Sequence, residues 1–156
     1  QKNKELAQVF KPPFILNSPF RPNSFRQTAA KIGKHILVYE GGESARFDEM
    51  AIDEGINGAL RIMHYLGMRD DAPEQTESTK VINHSSWVRA KKSGIFLAGV
   101  KSGEFVRKNQ VIGFIAELYD ASRQPIKSPV TGHIIGLNNN PIVHQGDALM
   151  HIGLER

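Results

Sequence analysis

The 156 residues include no cysteine, which removes a disulfide framework and a thiolate metal site together. No apolar run approaches the roughly 20 residues of a membrane-crossing helix. The opening residues, Gln1-Lys2-Asn3-Lys4-Glu5, lead into no signal-peptide core. Clustered charge of one sign is also missing. Twenty Lys and Arg against sixteen Asp and Glu leave a formal charge of +4, but the basic residues are scattered rather than interleaved with aromatics, which argues against a nucleic-acid surface. Paired histidines are absent as well. His35, His64, His84, His133, His144 and His151 form no His-x-x-Glu or His-Glu-x-x-His spacing, so no metal site is read within this chain. The expectation is a soluble protein with neither membrane nor nucleic acid as partner, compatible with a reducing cytoplasm.

What is present is organised around Ile36-Leu37-Val38-Tyr39-Glu40-Gly41-Gly42-Glu43. A short apolar run rich in β-formers, bounded by Lys34-His35 and a glycine pair, predicts a buried central strand. Open α/β sheets bind ligands beyond the carboxyl ends of their strands, which makes Glu40 a candidate for chemistry. A strand cap or a surface ion pair explains the same carboxylate equally well.

Either side of that run the pattern is helical. Leu6, Ala7, Val9 and Phe10 read as the last turns of a helix that began before Gln1, stopped by Pro12-Pro13. A short strand over 14–16 and a proline-rich loop follow. Ser24 and Gln27 form a Ser-x-x-Gln capping box, and Phe25, Thr28, Ala29 and Ile32 share one face before Gly33 ends the helix. Arg26 lies off that face, as a solvated surface residue would. After Glu43, Ser44 is positioned to cap a longer helix with Phe47, Met50 or Ala51, Ile56, Leu60, Met63 and Leu66 on its apolar side and Gly67 as its stop.

Residues 69–80 are polar and read as a linker. Beyond them, helical periodicity gives way to short β-rich pieces at 86–90, 95–97, 111–118, 133–137 and 148–152, which predicts a small sandwich or barrel. An internal echo supports this. Gly94-Ile95-Phe96 answers Gly132-His133-Ile134, and the run from Val106 to Ile112 answers that from Val143 to Leu149. Two quasi-equivalent halves joined by a turn at 120–124 suit a pseudo-twofold barrel.

This half resembles the biotinyl/lipoyl-type barrel. The resemblance rests on Val100, Gly103, Val106 and Ile112 and on Ser128-Pro129-Val130-Thr131-Gly132-His133-Ile134. Carrier domains place a modified lysine on the intervening hairpin. Here that hairpin reads Tyr119-Asp120-Ala121-Ser122-Arg123-Gln124-Pro125, so neither biotin nor lipoate is expected.

With strand-Glu-Gly-Gly, a helix ending in Leu66-Gly67-Met68, a polar linker and Trp87-Val88-Arg89-Ala90 opening the barrel, the chain resembles the C-terminal part of the succinylglutamate desuccinylase/aspartoacylase family. The resemblance implies residues 1–68 as the C-terminal part of a zinc carboxypeptidase-like α/β catalytic domain, 69–80 as linker and 81–156 as a lipoyl-like β-barrel. It implies hydrolysis of N-acyl amino acids or related acylated amines. Glu40 would be the general base on a zinc-bound water, and Arg26 would polarise the scissile carbonyl and bind substrate. The family's zinc ligands belong to an N-terminal half that is not in this sequence, so the chain is expected to be a fragment, inactive alone. A noncatalytic lipoyl-like carrier or binding module is the alternative, and a homo-oligomer is left open.

Overall fold

A computed structural model describes residues 2–74, 78–117 and 122–154. The chain divides into two units, Gln1–Val81 and Ile82–Arg156.

The first unit holds helices α1 (Lys2–Phe10), α2 (Phe25–Lys31) and α3 (Glu49–Tyr65). Strand β1 (Phe14–Leu16) pairs with β2 (Lys80–Ile82), anchored by Lys80 N–H donating to the Pro13 carbonyl at 2.9 Å. The expected capping box opens α2. Ser24 Oγ accepts from the Gln27 amide, while Gln27 Oε1 accepts from Asn23, one residue upstream of the cap.

Both α2 and α3 end on glycine. Gly33 and Gly67 adopt φ of 72° and 71°, and the following amides, Lys34 and Met68, reach back to the Ala29 and Met63 carbonyls at 2.9 Å. These are Schellman closures that satisfy the last helical carbonyls.

Two expectations fail in this unit. Residues 36–39 belong to no strand and no helix. Val38 is 57% exposed and Tyr39 41%, so the run is not a buried central strand either. A ladder needs a neighbour, and no described segment lies alongside it to exchange hydrogen bonds. Ser44 does not cap α3. Residues 44–46 turn, and Asp48 caps instead, its Oδ1 accepting from Ala51 at 3.1 Å. The helix therefore starts late and leaves Phe47 outside it, 95% exposed. Phe25, Ile32 and Met50 are also exposed, and Ala29 is the buried hydrophobic residue that this unit contributes.

The second unit is all-β. One antiparallel sheet runs in the order β3 (His84–Arg89), β10 (Ala148–Leu154), β8 (Gly132–Leu137), β5 (Phe105–Val106). The other runs β7 (Arg123–Lys127), β6 (Val111–Ala116), β4 (Gly94–Ala98), β9 (Ile142–Val143). One apolar cluster takes side chains from both sheets, among them Val88, Phe96, Val106, Ile112, Ile115, Ile134, Val143 and Ile152. The sheets are open and do not close into the expected barrel, since their edge strands are hydrogen-bonded on one side alone. The architecture is a sandwich of two four-stranded antiparallel sheets. Residues 118–121 of the lysine-free hairpin lie outside the described residues.

The sequence echo becomes a structural repeat. Replacing each strand of the first sheet by its partner in the other half, β3 by β7, β10 by β6, β8 by β4 and β5 by β9, reproduces the order of the second sheet. Turn chemistry repeats too. Ala90 N–H donates to the Asp147 carbonyl and Ser128 N–H to that of Gln110, both at 2.9 Å, while Gly146 and Asn109 donate in return at 2.8 Å. Asn109 and Gly146 both carry positive φ, 67° and 93°, a conformation that Asn and Gly adopt most readily.

Candidate functional site

Glu40 stands in the first unit, at the point where the run 36–39 meets Gly41-Gly42. Its side chain is exposed and takes no hydrogen bond or ion pair from a described residue. The residues on either side of it are fixed. Tyr39 turns onto α3 and donates its hydroxyl to the Ala51 carbonyl at 2.7 Å. Its ring lies against Gly55 and forms a tilted pair with Phe10, centroids 5.3 Å apart. Gly42, at φ 77°, sits so close to α3 that a Cβ there would stand 3.1 Å from Cβ of Asp48. A shallow cleft of about 360 Å³ is lined by Tyr39, Gly41, Gly42, Phe47 and Asp48 among others, and Glu40 is not one of its lining residues.

Burial pushes the Tyr39 hydroxyl above its ordinary 10.0, with the negative charges of Glu54 and Asp48 adding to the shift. It is therefore a neutral donor at physiological pH.

Arg26 belongs to the first turn of α2. Its Nη2 donates to the Ser18 carbonyl at 2.8 Å and more distantly to that of Pro19, and the guanidinium lies 5.3 Å from the centre of the Phe20 ring. Nε and Nη1 hold no hydrogen bond to a described residue, which leaves donor capacity on the fork. Glu40 and Arg26 form no ion pair with each other.

The notch on α3 that receives Tyr39 and Phe10 was not visible as a site. Gly55 and Gly58 lie three apart in the helix, and a Cβ at Gly58 would overlap the Phe10 ring. In sequence they read as two weak helix formers; their i, i+3 spacing was the available signal.

Among the described residues, no three His, Asp or Glu side chains come together as a metal site. A zinc ion does not fit the donor set of the described residues alone. No described helix is long and apolar enough to cross a membrane.

The fold has clear counterparts among solved structures. A succinylglutamate desuccinylase/aspartoacylase from Rhodobacter sphaeroides aligns over 99% of this chain and 49% of its own, at TM-score 0.87 and 19% identity. The product-bound ectoine utilization protein EutE (DoeB) from Ruegeria pomeroyi aligns over 99% and 49%, at 0.86 and 14%. An aspartoacylase family protein from Mesorhizobium loti aligns over 99% and 48%, at 0.72 and 16%. No family model and no curated protein matches the sequence. At these identities the likeness is one of fold: the chain has the fold of about half of a succinylglutamate desuccinylase/aspartoacylase protein, as the sequence resemblance implied. It spans about half the length of the structures it matches.

Proposed function

We propose that this chain is the C-terminal part of a hydrolase that releases an amino acid or related amine from its N-acyl derivative, with Glu40 as the general base. The observation that carries the reading is the fold match across nearly the whole chain to proteins bearing that family name. The setting of Glu40 agrees with it: a carboxylate that no described residue bonds, between two residues that line a cleft, on a backbone held at both flanks. In the reaction, the attacking water loses a proton to Glu40 as its oxygen bonds to the acyl carbon. Glu40 returns that proton to the amine nitrogen as the C–N bond breaks, leaving a free amine and a carboxylic acid, which becomes the carboxylate by giving up the water's second proton to solvent or to the amine. Arg26 would use its uncommitted donors on the substrate's acyl oxygen, stabilising the charge that develops there.

Zinc dependence belongs to the whole protein under this reading, with every ligand outside this chain. The large apolar side chains that the first unit leaves exposed, Phe25, Ile32, Phe47 and Met50, support a covering partner, which we assign to the remainder of that protein. The ligand is a small acylated amino acid or amine, the compartment is the cytoplasm, and the β-unit carries no biotin or lipoate.

The test is Glu40→Gln in the whole protein. The substitution keeps size and hydrogen-bonding capacity but cannot accept a proton. Turnover is expected to fall on the order of 10²–10⁴-fold, or about 3–5 kcal/mol of transition-state stabilisation, with melting temperature and bound zinc unchanged. Turnover within a few-fold of wild type, zinc bound, removes the assignment.

A further inference from the structure

The residue before the proposed base is tied down more firmly than the base itself. Besides its pairing with Phe10, Tyr39 has three attachments. Its hydroxyl donates to the Ala51 carbonyl at 2.7 Å. Its ring rests where a Cβ on Gly55 would be 3.0 Å from Cε1. Its outer end passes under Gly41, where a Cβ would come within 2.6 Å of the hydroxyl oxygen. Gly41 and Gly55 are thus the residues whose missing side chains let the ring occupy this place.

Glu40 lies between the tethered Tyr39 and Gly41, and no hydrogen bond to a described residue holds its own carboxylate. Its position is inherited from the backbone, and the backbone is set by Tyr39. Asp48 caps α3 three residues before Ala51, so the helix end that Tyr39 grips is itself fixed.

We propose that Tyr39 is the positioning residue for Glu40: it clamps the 39–42 backbone onto the first turns of α3 so that the carboxylate is presented at a fixed place. This rests on the reading of Glu40 as the general base. Proton transfer is sensitive to placement at the ångström scale, and a misplacement of about 1 Å can cost on the order of 10²-fold in rate. The clamp acts through geometry alone, since the hydroxyl contacts the helix and not a reacting atom.

The experiment compares Tyr39→Phe, Gly55→Ala and Glu40→Gln in the whole zinc-loaded protein. Phenylalanine keeps the ring and deletes the hydroxyl. Alanine at 55 favours the helix intrinsically while pushing the ring away, so it separates loss of the clamp from loss of stability. For both clamp variants the expected result is a fall in kcat of about tenfold with KM within about twofold and no lowering of the melting temperature for Gly55→Ala. Backbone ¹⁵N order parameters at Glu40, Gly41 and Gly42 should drop in both, a readout independent of turnover. If Glu40→Gln abolishes turnover but the clamp variants keep wild-type kcat and order parameters, the positioning role is wrong and the base assignment stands. If Glu40→Gln leaves turnover intact, the base assignment fails and the positioning role falls with it.

Discussion

Arg61 is a charged side chain with 5% of its surface exposed, and its partners explain why a helix would bury it. Nε donates to the Phe10 carbonyl at 2.9 Å, at the end of α1, and Nη2 lies 3.9 Å from Glu54. The arginine satisfies a carbonyl that α1 cannot satisfy itself. Arg61→Met should remove that bond and leave Glu54 without its counter-charge, at a cost of about 2–4 kcal/mol, read from chemical denaturation. Gly58→Ala should also destabilise, by about 1–3 kcal/mol, because the added Cβ overlaps the Phe10 ring and the overlap outweighs the helix-propensity gain. Neither role was legible beforehand. An arginine in a helical pattern reads as solvated, and nothing in the sequence says which distant carbonyl it will meet. Glu40 drew notice from its place at the end of an apolar run, with resemblance supplying its role, whereas Arg26 stood out through resemblance alone.

Among the elements, those closed by local chemistry were the most readable. The Ser24 cap, the glycine stops at 33 and 67, and the strands of the second unit depend on residues within a few positions of one another. The start of α3 depended on a choice between two good caps, Ser44 and Asp48, and the turn at 44–46 decided it. Asp48→Ala should cost about 1 kcal/mol in a thermal melt. The run 36–39 was unreadable for the opposite reason: strand formation is a property of a pair, and no described segment is its second member. What orders this run instead is Tyr39, and its raised pKa gives a pH signature. The folded state holds the phenolic proton more tightly than the unfolded chain does, so stability from this group is complete below pH 10.0 and declines as the pH rises through and beyond that value. Tyrosinate absorbance should show a late ionisation step that Tyr39→Phe removes.

Over the whole molecule, the two units are unequal in what they bury. The second has a core of Val, Ile, Leu, Phe and Met side chains that includes Val106, Ile112, Ile134, Met150 and Ile152 at 0% exposure, whereas the first buries few large apolar groups. Residues 82–156 expressed alone should therefore give a cooperative melt and dispersed amide resonances. A broad, non-cooperative transition would show that this core does not suffice. The repeat also bears on how the chain can be cut and rejoined. Each half lends two strands to each sheet, and His84 pairs with Leu154, so the ends of the unit are already neighbours. Joining them by a short linker and opening the chain between β6 and β7 would yield a circular permutant in which the second half is synthesised first. Because the two sheets share one strand order under exchange of the halves, that permutant follows the same winding path as the original. The direction of reading changes while the topology does not.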